Sequence, residues 1–501
     1  MNYSDTATLG KLKKTGYKSV PIKDELRKNL IDSLQNGHNP FEGILGYDDT
    51  VIPDIQTAIL SRHNIILLGL RGQAKTKIAR LLVNLLDEYI PIIEGSELND
   101  DPFKPLSKFG KEITTKDGDN TKITWLHRNE RYTEKLATPD VSVADLIGDV
   151  DPIKAASLKL PYSDERVIHF GLIPRSHRSI FVINELPDLQ ARIQVALFNM
   201  LQESDIQIRG FKIRLPLDIQ FVFTANPEDY TNRGSIVTPL KDRIDSQILT
   251  HYPKTTELSK QITNQEATIS PEQVETVIVP EILKDLVEQI AFEARLSEYI
   301  DSKSGVSARL TISAYENLIS TAERRRILNN DKNTVVRISD LYGVIPAITG
   351  KVELVYEGEQ EGPYKVANIL ISKAIKTIFE SYFPTPDQLK KTKADSPYQK
   401  ITNWFSKGNK IDILNSTSNK EYEKLLSEVP GLQDIISKYI KGKNGYNFLF
   451  MEFLLHGLSE FSLLSKFRLE KGLQFKDMLS SMFTMSQTDE DQDEEDNDIF
   501  R

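Results

Sequence analysis

The sequence predicts an α/β fold, an αβα sandwich in which helices cover both faces of a parallel sheet, followed by mostly α-helical regions. Three short apolar runs, residues 65–68, 179–183 and 218–224, have the length and composition of buried strands in a parallel sheet. The first run leads through a glycine-containing turn into residues 78–86, where apolar side chains recur at helical spacing. Residues 256–350 also show helical periodicity.

The 501 residues are enough for about three domains, and shifts in composition divide them into five segments. We predict an N-terminal extension at 1–40, an α/β domain at 41–255, a helical lid at 256–350, a helical C-terminal region at 351–486 and an acidic disordered tail at 487–501. The lysines of the extension are expected to decorate a flexible arm. The tail is expected to act as a solubilising extension or as a docking strip for a basic or metal-bearing partner.

Smaller features are predicted inside these segments. Residues 96–130 are polar and irregular, and they are expected to form a surface insertion. A helix is expected around residues 190–201, and alternating side chains around Arg209 and Gly210 predict a small hairpin. Residues 365–485 are expected to be mostly helical.

Composition and charge exclude several classes of function. The chain has no cysteine, which excludes disulfides, thiolate catalysis and cysteine-ligated metal sites and favours a cytoplasmic location. No apolar stretch approaches the roughly 20 residues of a membrane span, and the most apolar one, 448–458, is expected to be a core helix. Eight acids and one arginine in 489–501 contribute −7 of the net charge of −9, so the rest of the chain is nearly neutral and nucleic acid is not an expected partner.

A phosphate-binding loop is predicted directly after the first strand. The sequence GLRGQAKT matches the pattern G-x-x-x-x-G-K-[ST], except that Ala74 replaces the last glycine. The backbone N–H groups of such a loop cradle phosphates, Lys75 would reach the outer phosphates, and the Thr76 hydroxyl would bind Mg²⁺. The extra methyl group is tolerable if Ala74 keeps a negative φ, and the alternative is an ordinary strand–turn–helix connection with a surface lysine. The candidate phosphate-binding residues are Gly69, Leu70, Arg71, Gly72, Gln73, Ala74, Lys75 and Thr76.

Two polar residues end the second predicted strand. Phosphoryl transfer to water needs a carboxylate beside the γ-phosphate, and Glu185 is placed for that at the carboxyl end of the strand. The preceding position is normally Asp in Walker B sequences and is Asn184 here, which can bind a Mg²⁺-bound water but supplies no charge. The alternative is a solvated glutamate at a strand end.

Three further residues are candidates for sensing or stabilising the γ-phosphate. Asn226 ends the third strand and is either a neutral sensor or a turn-forming residue. Arg243 follows on a predicted short helix, either as a finger inserted into a neighbouring subunit's site or in an ion pair with Asp242 or Asp245. Arg309 lies in the predicted lid, either as a second sensor or as a surface arginine.

Taken in this order, the motifs resemble those of AAA+ ATPases of the magnesium-chelatase/MoxR group, over about residues 40–350. The group's adenine pocket resembles NPFEGILGYDD, and its P-loop shares the alanine of GLRGQAKT. Its segment leading into Walker B resembles FGLIPRSHRSIFVINELPDL. Its stretch with an inserted hairpin, sensor 1 and arginine finger resembles LFNMLQESDIQIRGFKIRLPLDIQFVFTANPEDY followed by TPLKDRID.

The resemblance implies a role for each matching residue. It implies adenine contacts for Ile44, Leu45 and Gly46. It implies the Walker A, Walker B, sensor 1, arginine-finger and sensor 2 roles, in that order, for Lys75 with Thr76, Asn184 with Glu185, Asn226, Arg243 and Arg309.

The resemblance further implies an ATPase that uses ATP and Mg²⁺ and works as a ring-shaped homo-oligomer, commonly a hexamer, in a chaperone-like role. Members of the group often act with a protein bearing a von Willebrand factor A domain. Three alternatives are the motor subunit of a true magnesium chelatase, a nucleotide-dependent scaffold with little turnover, and a DNA-dependent activator or helicase. The near-neutral body of the chain and the lack of a recognisable DNA-binding module argue against the last.

Overall fold

A computed structural model of the protein describes residues 6–161, 164–203, 205–208, 214–226, 235–392, 396–440, 445–469 and 472–478. The chain forms two compact units, Met1–Tyr252 and Pro253–Arg501. The predicted acidic tail lies outside the described residues.

The first unit contains eleven strands and a series of mostly short helices among its described residues. Its helices are α1 (Leu9–Lys14), α2 (Ile22–Gln35), α3 (Val51–Leu60), α4 (Lys75–Leu81), α5 (Lys108–Asp117), α6 (Val143–Leu146), α7 (Pro152–Leu158), α8 (Leu172–Arg175), α9 (Ala191–Ala196), α10 (Phe198–Glu203) and α11 (Thr238–Lys241). Its strands are β1 (Ile65–Leu68), β2 (Tyr89–Ile93), β3 (Ile123–His127), β4 (Tyr132–Leu136), β5 (Gly148–Val150), β6 (Ile168–Phe170), β7 (Ser179–Asn184), β8 (Asp205–Gln207), β9 (Arg214–Pro216), β10 (Ile219–Ala225) and β11 (Ser246–Leu249). Turns of 3-10 helix lie at Leu82–Leu85, Gly118–Asn120, Arg128–Arg131, Glu165–Val167 and Leu186–Asp188.

A five-stranded parallel sheet forms the centre of this unit, in the order β11-β1-β10-β7-β4. Every residue of β1, β7 and β10 is buried, and Val222 pairs with Ile65 on one side and with Val182 on the other. Successive side chains enter separate hydrophobic clusters on the two faces of the sheet, and helical residues complete both clusters. This arrangement confirms the predicted fold class, the αβα sandwich that the AAA+ resemblance implies.

Two of the smaller predicted features are present. The predicted hairpin is confirmed, since β8 and β9 pair antiparallel, although its tip at residues 209–213 lies outside the described residues. The helix expected around residues 190–201 is divided at Leu197 into α9 and α10.

The expectation that residues 96–130 form a surface insertion was wrong in part. β3 pairs antiparallel with β2, and Leu98, Leu106 and Ile123 are buried. These apolar residues stand far apart among polar ones, so they show no period in the sequence even though each packs inward.

The lysine-bearing N-terminal segment is not a flexible arm where the structure describes it. α2 places Ile22, Leu26 and Leu30 four residues apart on one face, and all three are buried in the cluster that also contains α3 residues. The expectation of a flexible arm was wrong because charged residues dominate the composition of the segment and conceal this stripe.

A buried ion pair holds α2 to the sheet. The Arg131 guanidinium donates two hydrogen bonds to the Glu25 carboxylate, at 2.6 and 2.7 Å, and its Nε donates to the carbonyl of Arg178, which precedes β7. The Arg131 side chain is 1% exposed and that of Glu25 is 5% exposed. Removal of either partner would leave the other charge buried without compensation.

We therefore expect Glu25→Gln to lower the free energy of unfolding of the first unit by about 3–5 kcal/mol. The control is Asp24→Asn on the same helix, whose ion pair with Arg62 is largely exposed and contributes at most about 1 kcal/mol. The two tryptophans, Trp125 and Trp404, lie in different units, so urea unfolding followed by fluorescence in a Trp404→Phe background reports on the first unit. A loss no larger than that of the control would show that the ion pair is not required.

The second unit is mainly helical. Its helices are α12 (Thr256–Glu266), α13 (Pro271–Thr276), α14 (Glu281–Leu296), α15 (Arg309–Leu328), α16 (Ile345–Thr349), α17 (Tyr356–Glu361), α18 (Pro363–Phe379), α19 (Pro386–Thr392), α20 (Gln399–Phe405), α21 (Asn419–Ser427), α22 (Leu432–Tyr439) and α23 (Asn447–Glu460), with a 3-10 helix at Ile338–Val344. Its strands are β12 (Val277–Ile278), β13 (Thr334–Val335), β14 (Ile411–Leu414), β15 (Ser465–Leu469) and β16 (Gly472–Lys476).

One hydrophobic cluster extends through this unit, from Val277 to Phe475. Helices on both sides of the predicted boundary at residue 350 contribute to it, and the boundary itself stays a prediction. The expectation of a mostly helical region at 365–485 missed the antiparallel sheet β14-β16-β15, because strands of four or five residues are too short to be told from helix by periodicity. Across the described ranges, no helix has the length and apolar character needed to cross a membrane.

Candidate functional site

The polar residues that end the buried strands meet at one edge of the first unit's sheet. β1, β10 and β7 are adjacent and parallel, so the glycine loop after β1, Asn226 after β10 and Glu185 after β7 lie side by side. Hydrogen bonds join the three, through Lys75 at the end of the loop. This edge of the sheet is the candidate functional site.

The loop between β1 and α4 contains two residues in the left-handed region. Gly72 has a φ of 73° and Ala74 a φ of 56°. The condition for tolerating the methyl group without strain, a negative φ at Ala74, is therefore not met, and the Cβ makes this conformation less favourable by about 1–2 kcal/mol. Glu185 is also left-handed, with a φ of 55°. Such strained residues concentrate at functional sites, where surrounding contacts hold them in place.

Lys75 is the buried cation of the site. Its residue is 7% exposed, and its Nζ donates to the carbonyls of Gly69 and Leu70, the latter at 2.9 Å, and to Asn226 Oδ1 at 2.8 Å. A buried ammonium group is strongly unfavourable unless it is hydrogen-bonded, so these oxygens are what allow it to lie at the loop.

Groups from β10 orient Glu185 and Asn184. Asn226 Nδ2 donates to Glu185 Oε2 at 3.1 Å, and the backbone N–H of Glu185 donates to Thr224 Oγ1 at 3.1 Å. The Thr224 hydroxyl donates in turn to Asn184 Oδ1, at 3.1 Å. Sequence reasoning missed Thr224, although it stands two residues before Asn226 and so shares its face of the strand.

Thr250, near the end of the first unit, forms hydrogen bonds with the loop and with β1. The Thr250 hydroxyl donates to Gln73 Oε1 at 2.6 Å, and the Thr250 backbone N–H donates to the carbonyl of Leu68 at 2.7 Å. A Cβ at Gly69 would lie 1.9 Å from Thr250 Oγ1 and 2.1 Å from Gln73 Oε1. Glycine is therefore required at the first position of the loop by packing against this segment.

Two tyrosines complete the support. The Tyr47 hydroxyl lies 3.1 Å from the carbonyl of Gln73 and 2.7 Å from that of His251, and the Tyr252 hydroxyl donates to the carbonyl of Arg71 at 3.0 Å. Burial raises the pKa of Tyr47 to about 12, so its hydroxyl stays protonated and can donate near neutral pH. No motif in the sequence identifies these two tyrosines, because their partners are backbone carbonyls.

The candidate adenine residues Ile44, Leu45 and Gly46 lie directly before Tyr47 and therefore next to the loop. Lys77 on α4 donates to the carbonyl of Gly43 at 3.1 Å, which also holds this segment beside the site. Arg309 begins α15 in the second unit, and its backbone N–H donates to Ser307 Oγ.

Arg243 lies two residues after the end of α11, not on the helix as predicted, and it is bonded to neutral groups. Its guanidinium donates to Gln202 Oε1 at 3.0 and 3.1 Å and to the carbonyl of Pro239 at 2.7 Å, and its Cζ lies 5.0 Å from the centroid of the Phe198 ring. Within the described part of the chain it forms no ion pair with the aspartates at 242 and 245, so the alternative of a local ion pair was wrong. The role of Arg243 as a finger stays a prediction.

The parallel sheet and the glycine loop that leads into α4 define an α/β fold of the P-loop type. No protein-family profile matches the chain, and no curated protein matches it. Solved structures that align with it include a proposed ATPase from Cytophaga hutchinsonii, with 16% identity and a TM-score of 0.28, covering 70% of this chain and 96% of that one. NtrX from Brucella abortus aligns with 14% identity and a TM-score of 0.36, covering 73% and 70%.

The complex of subunits BchI and BchD of magnesium chelatase aligns with 18% identity and a TM-score of 0.34, covering 64% of this chain and 98% of that one. Similarities this low do not assign the chain to a family. What can be said of its function depends on the geometry of its own site.

The left-handed conformation of Ala74 generates a stability prediction. We expect Ala74→Gly to raise the free energy of unfolding of the first unit by roughly 0.5–1 kcal/mol, because the relief of Cβ strain exceeds the added entropy of the unfolded chain. Ala156→Gly on the exposed side of α7 is the control and should lower it by about 1 kcal/mol. Urea unfolding in the Trp404→Phe background measures both, and a loss of stability in Ala74→Gly equal to that of the control would contradict the left-handed assignment.

Proposed function

We propose that the chain is an ATP-binding and ATP-hydrolysing AAA+ motor of the magnesium-chelatase/MoxR type, which remodels or activates a partner protein or complex. One observation supports this proposal most directly: Lys75, Asn226 and Glu185 are joined by hydrogen bonds at the carboxyl ends of three adjacent parallel strands. A cation, a neutral amide and a carboxylate in that order are suited to binding a phosphate, sensing it and orienting water against it.

The residues of the loop fit Mg-ATP. The left-handed residues Gly72 and Ala74 give the alternating backbone conformation that turns N–H groups towards an anion. Lys75 adds a cation and Thr76 a hydroxyl ligand for Mg²⁺, while residues 44–46 would contact the adenine. Bound there, Mg-ATP would supply the γ-phosphoryl group and the charge of the metal.

The chain's own residues would act on water and on charge. Glu185 would orient the attacking water and accept its proton, and Asn226, which already donates to Glu185, would hold that carboxylate and sense the γ-phosphate. Lys75 would exchange the loop carbonyls for phosphate oxygens. Among the described residues Arg243 is held by neutral groups, so its charge would be available to a neighbouring subunit's site, while Arg309 would act as the second sensor.

An arginine that acts in a neighbouring site requires assembly. The proposal therefore includes a ring-shaped homo-oligomer, with a hexamer as the expected size. A partner bearing a von Willebrand factor A domain is included on the strength of the resemblance alone.

A second candidate, a nucleotide-dependent scaffold with little turnover, is favoured by Asn184. Its side chain accepts a hydrogen bond from the Thr224 hydroxyl and could contact Mg²⁺ only through water. A neutral amide in this place supplies no charge to the metal, which favours slow hydrolysis more than it disfavours nucleotide binding.

ATP turnover at protein concentrations that allow assembly tests both candidates. We expect Glu185→Gln to lower kcat by about 10²–10⁴-fold and to retain ATP binding, because the amide cannot accept the proton of water. Lys75→Ala should lose ATP binding instead. The matched control is Glu97→Gln, a partly exposed acid of the same unit, which should leave kcat unchanged.

Two results would contradict the proposal, the first in the role of Glu185 and the second in the motor itself. Equal turnover in the wild type and in Glu185→Gln would show that Glu185 is not the catalytic carboxylate. ATP binding without turnover in the wild type, together with turnover in Asn184→Asp, would favour the scaffold and would identify the missing charge as its cause.

A further inference from the structure

We propose that a small cavity in the second unit is a binding site for a phosphate-type dianion. The cavity has a volume of about 120 Å³ and lies between α15, the 3-10 helix at Ile338–Val344 and strands β15 and β16. Arg324, Arg468, Ser339 and Asn415 are among the residues that line it. None of these residues belongs to the site at the edge of the parallel sheet, so the proposal is independent of the proposed motor.

Two arginines of the wall have no carboxylate partner. Arg324 and Arg468 form no ion pair with any residue that the structure describes. The Arg468 guanidinium lies 4.5 Å from the centroid of the Tyr364 ring, which restrains its plane without cancelling its charge. Arg468 is exposed, and partial burial of its side chain lowers its pKa because the charged form loses some of its water.

Arg325, the third arginine of the wall, shows the contrast. It is 2% exposed, and it donates to both oxygens of the Asp340 carboxylate, at 2.8 and 3.3 Å. A backbone N–H also donates to that carboxylate, so its oxygens are already engaged. The charges of Arg325 and Asp340 cancel, and those of Arg324 and Arg468 leave the wall with an excess of two positive charges in a chain of net charge −9.

Two further hydrogen-bond donors at the cavity have no partner among the described residues. Ser339 uses its backbone N–H for the Glu452 carboxylate, at 3.0 Å, and its hydroxyl has no hydrogen-bond partner among the described residues. The Asn415 side chain likewise has none within the described ranges. Arg324, Arg468, Ser339 and Asn415 therefore bring guanidinium, hydroxyl and amide donors to the wall of one small cavity, a combination that suits an oxyanion.

Volume and charge select the class of ligand. The cavity volume of about 120 Å³ is below the ~300–1,000 Å³ of pockets that take larger ligands, which favours a small ion. A phosphate group carries about −1.5 to −2 charges near neutral pH, which matches two unpaired arginines, whereas a carboxylate carries one. The structure therefore assigns a single phosphate group, either the free ion or the terminus of a small ester.

Isothermal titration of the full chain with inorganic phosphate, at constant ionic strength and without nucleotide, tests the assignment. The loop after β1 is a second potential phosphate site, so Lys75→Ala is compared with the double variant Arg324→Gln/Arg468→Gln. We expect the dissociation constant to rise by about tenfold for each arginine removed, and Lys75→Ala to retain the cavity site. Arg326→Gln is the matched control on α15, because Arg326 pairs with Glu272 and does not line the cavity.

Phosphoethanolamine, titrated beside inorganic phosphate, distinguishes an ester from the free ion, and binding of either supports the site. The proposal is overturned if neither binds, if the double variant binds as tightly as the wild type, or if acetate or an acidic peptide binds as well as phosphate. Thermal unfolding checks that the double variant is folded. If it is not, the single variant Arg324→Gln, at an exposed helix residue, carries the same test.

Discussion

The hydrogen-bonded ammonium group of Lys75 is the interaction on which the candidate site depends. Its contacts with the carbonyls of Gly69 and Leu70 close the loop on itself, and its contact with Asn226 ties the loop to β10. Asn226 in turn donates a hydrogen bond to the carboxylate of Glu185, which follows the next strand. Loss of the Lys75 ammonium group would therefore leave the loop without its side-chain contact to Asn226.

Neutral side chains also hold the loop after β1 in place. Thr250 and Tyr252 contact the loop, at Gln73 and at the Arg71 carbonyl, and Tyr47 bridges Gln73 and His251. These contacts fix Arg71 and Gln73, directly before Ala74, and so help to hold Ala74 in its left-handed conformation. They also mean that Thr250 and Tyr252, near the end of the first unit, contact the loop after β1 directly.

Particular residues show how far the sequence predicts the site. Lys75, Glu185 and Asn226 are identifiable because each follows an apolar run, and the carboxyl ends of adjacent parallel strands must meet at one edge of a sheet. The conformation of Ala74 is not predictable in this way, because φ depends on contacts from distant residues such as Thr250. The same reason hides Tyr47, whose partners are backbone carbonyls that carry no sequence signal.

The elements of the fold likewise differ in how clearly the sequence predicts them. The parallel strands form continuous buried runs and are visible in the sequence, whereas α2 and the sheet β14-β16-β15 are not. In α2, charged residues lie between the apolar residues that face the core, and one of them, Glu25, is itself buried. From composition alone, a glutamate is expected at the surface. Glu25 is buried because Arg131 lies beside it and pairs with its carboxylate.

The arginines of this protein differ in whether a carboxylate neutralises them. Arg131 and Arg325 are almost fully buried, and each donates two hydrogen bonds to a carboxylate. Their charges are therefore neutralised inside the fold. Among the described residues, Arg243 and Arg468 contact amide, carbonyl or aromatic groups instead, and no carboxylate there pairs with either. A charge that is positioned but not neutralised is suited to an anion from outside the chain. The same criterion therefore supports a γ-phosphate contact for Arg243 and a separate phosphate site beside Arg468.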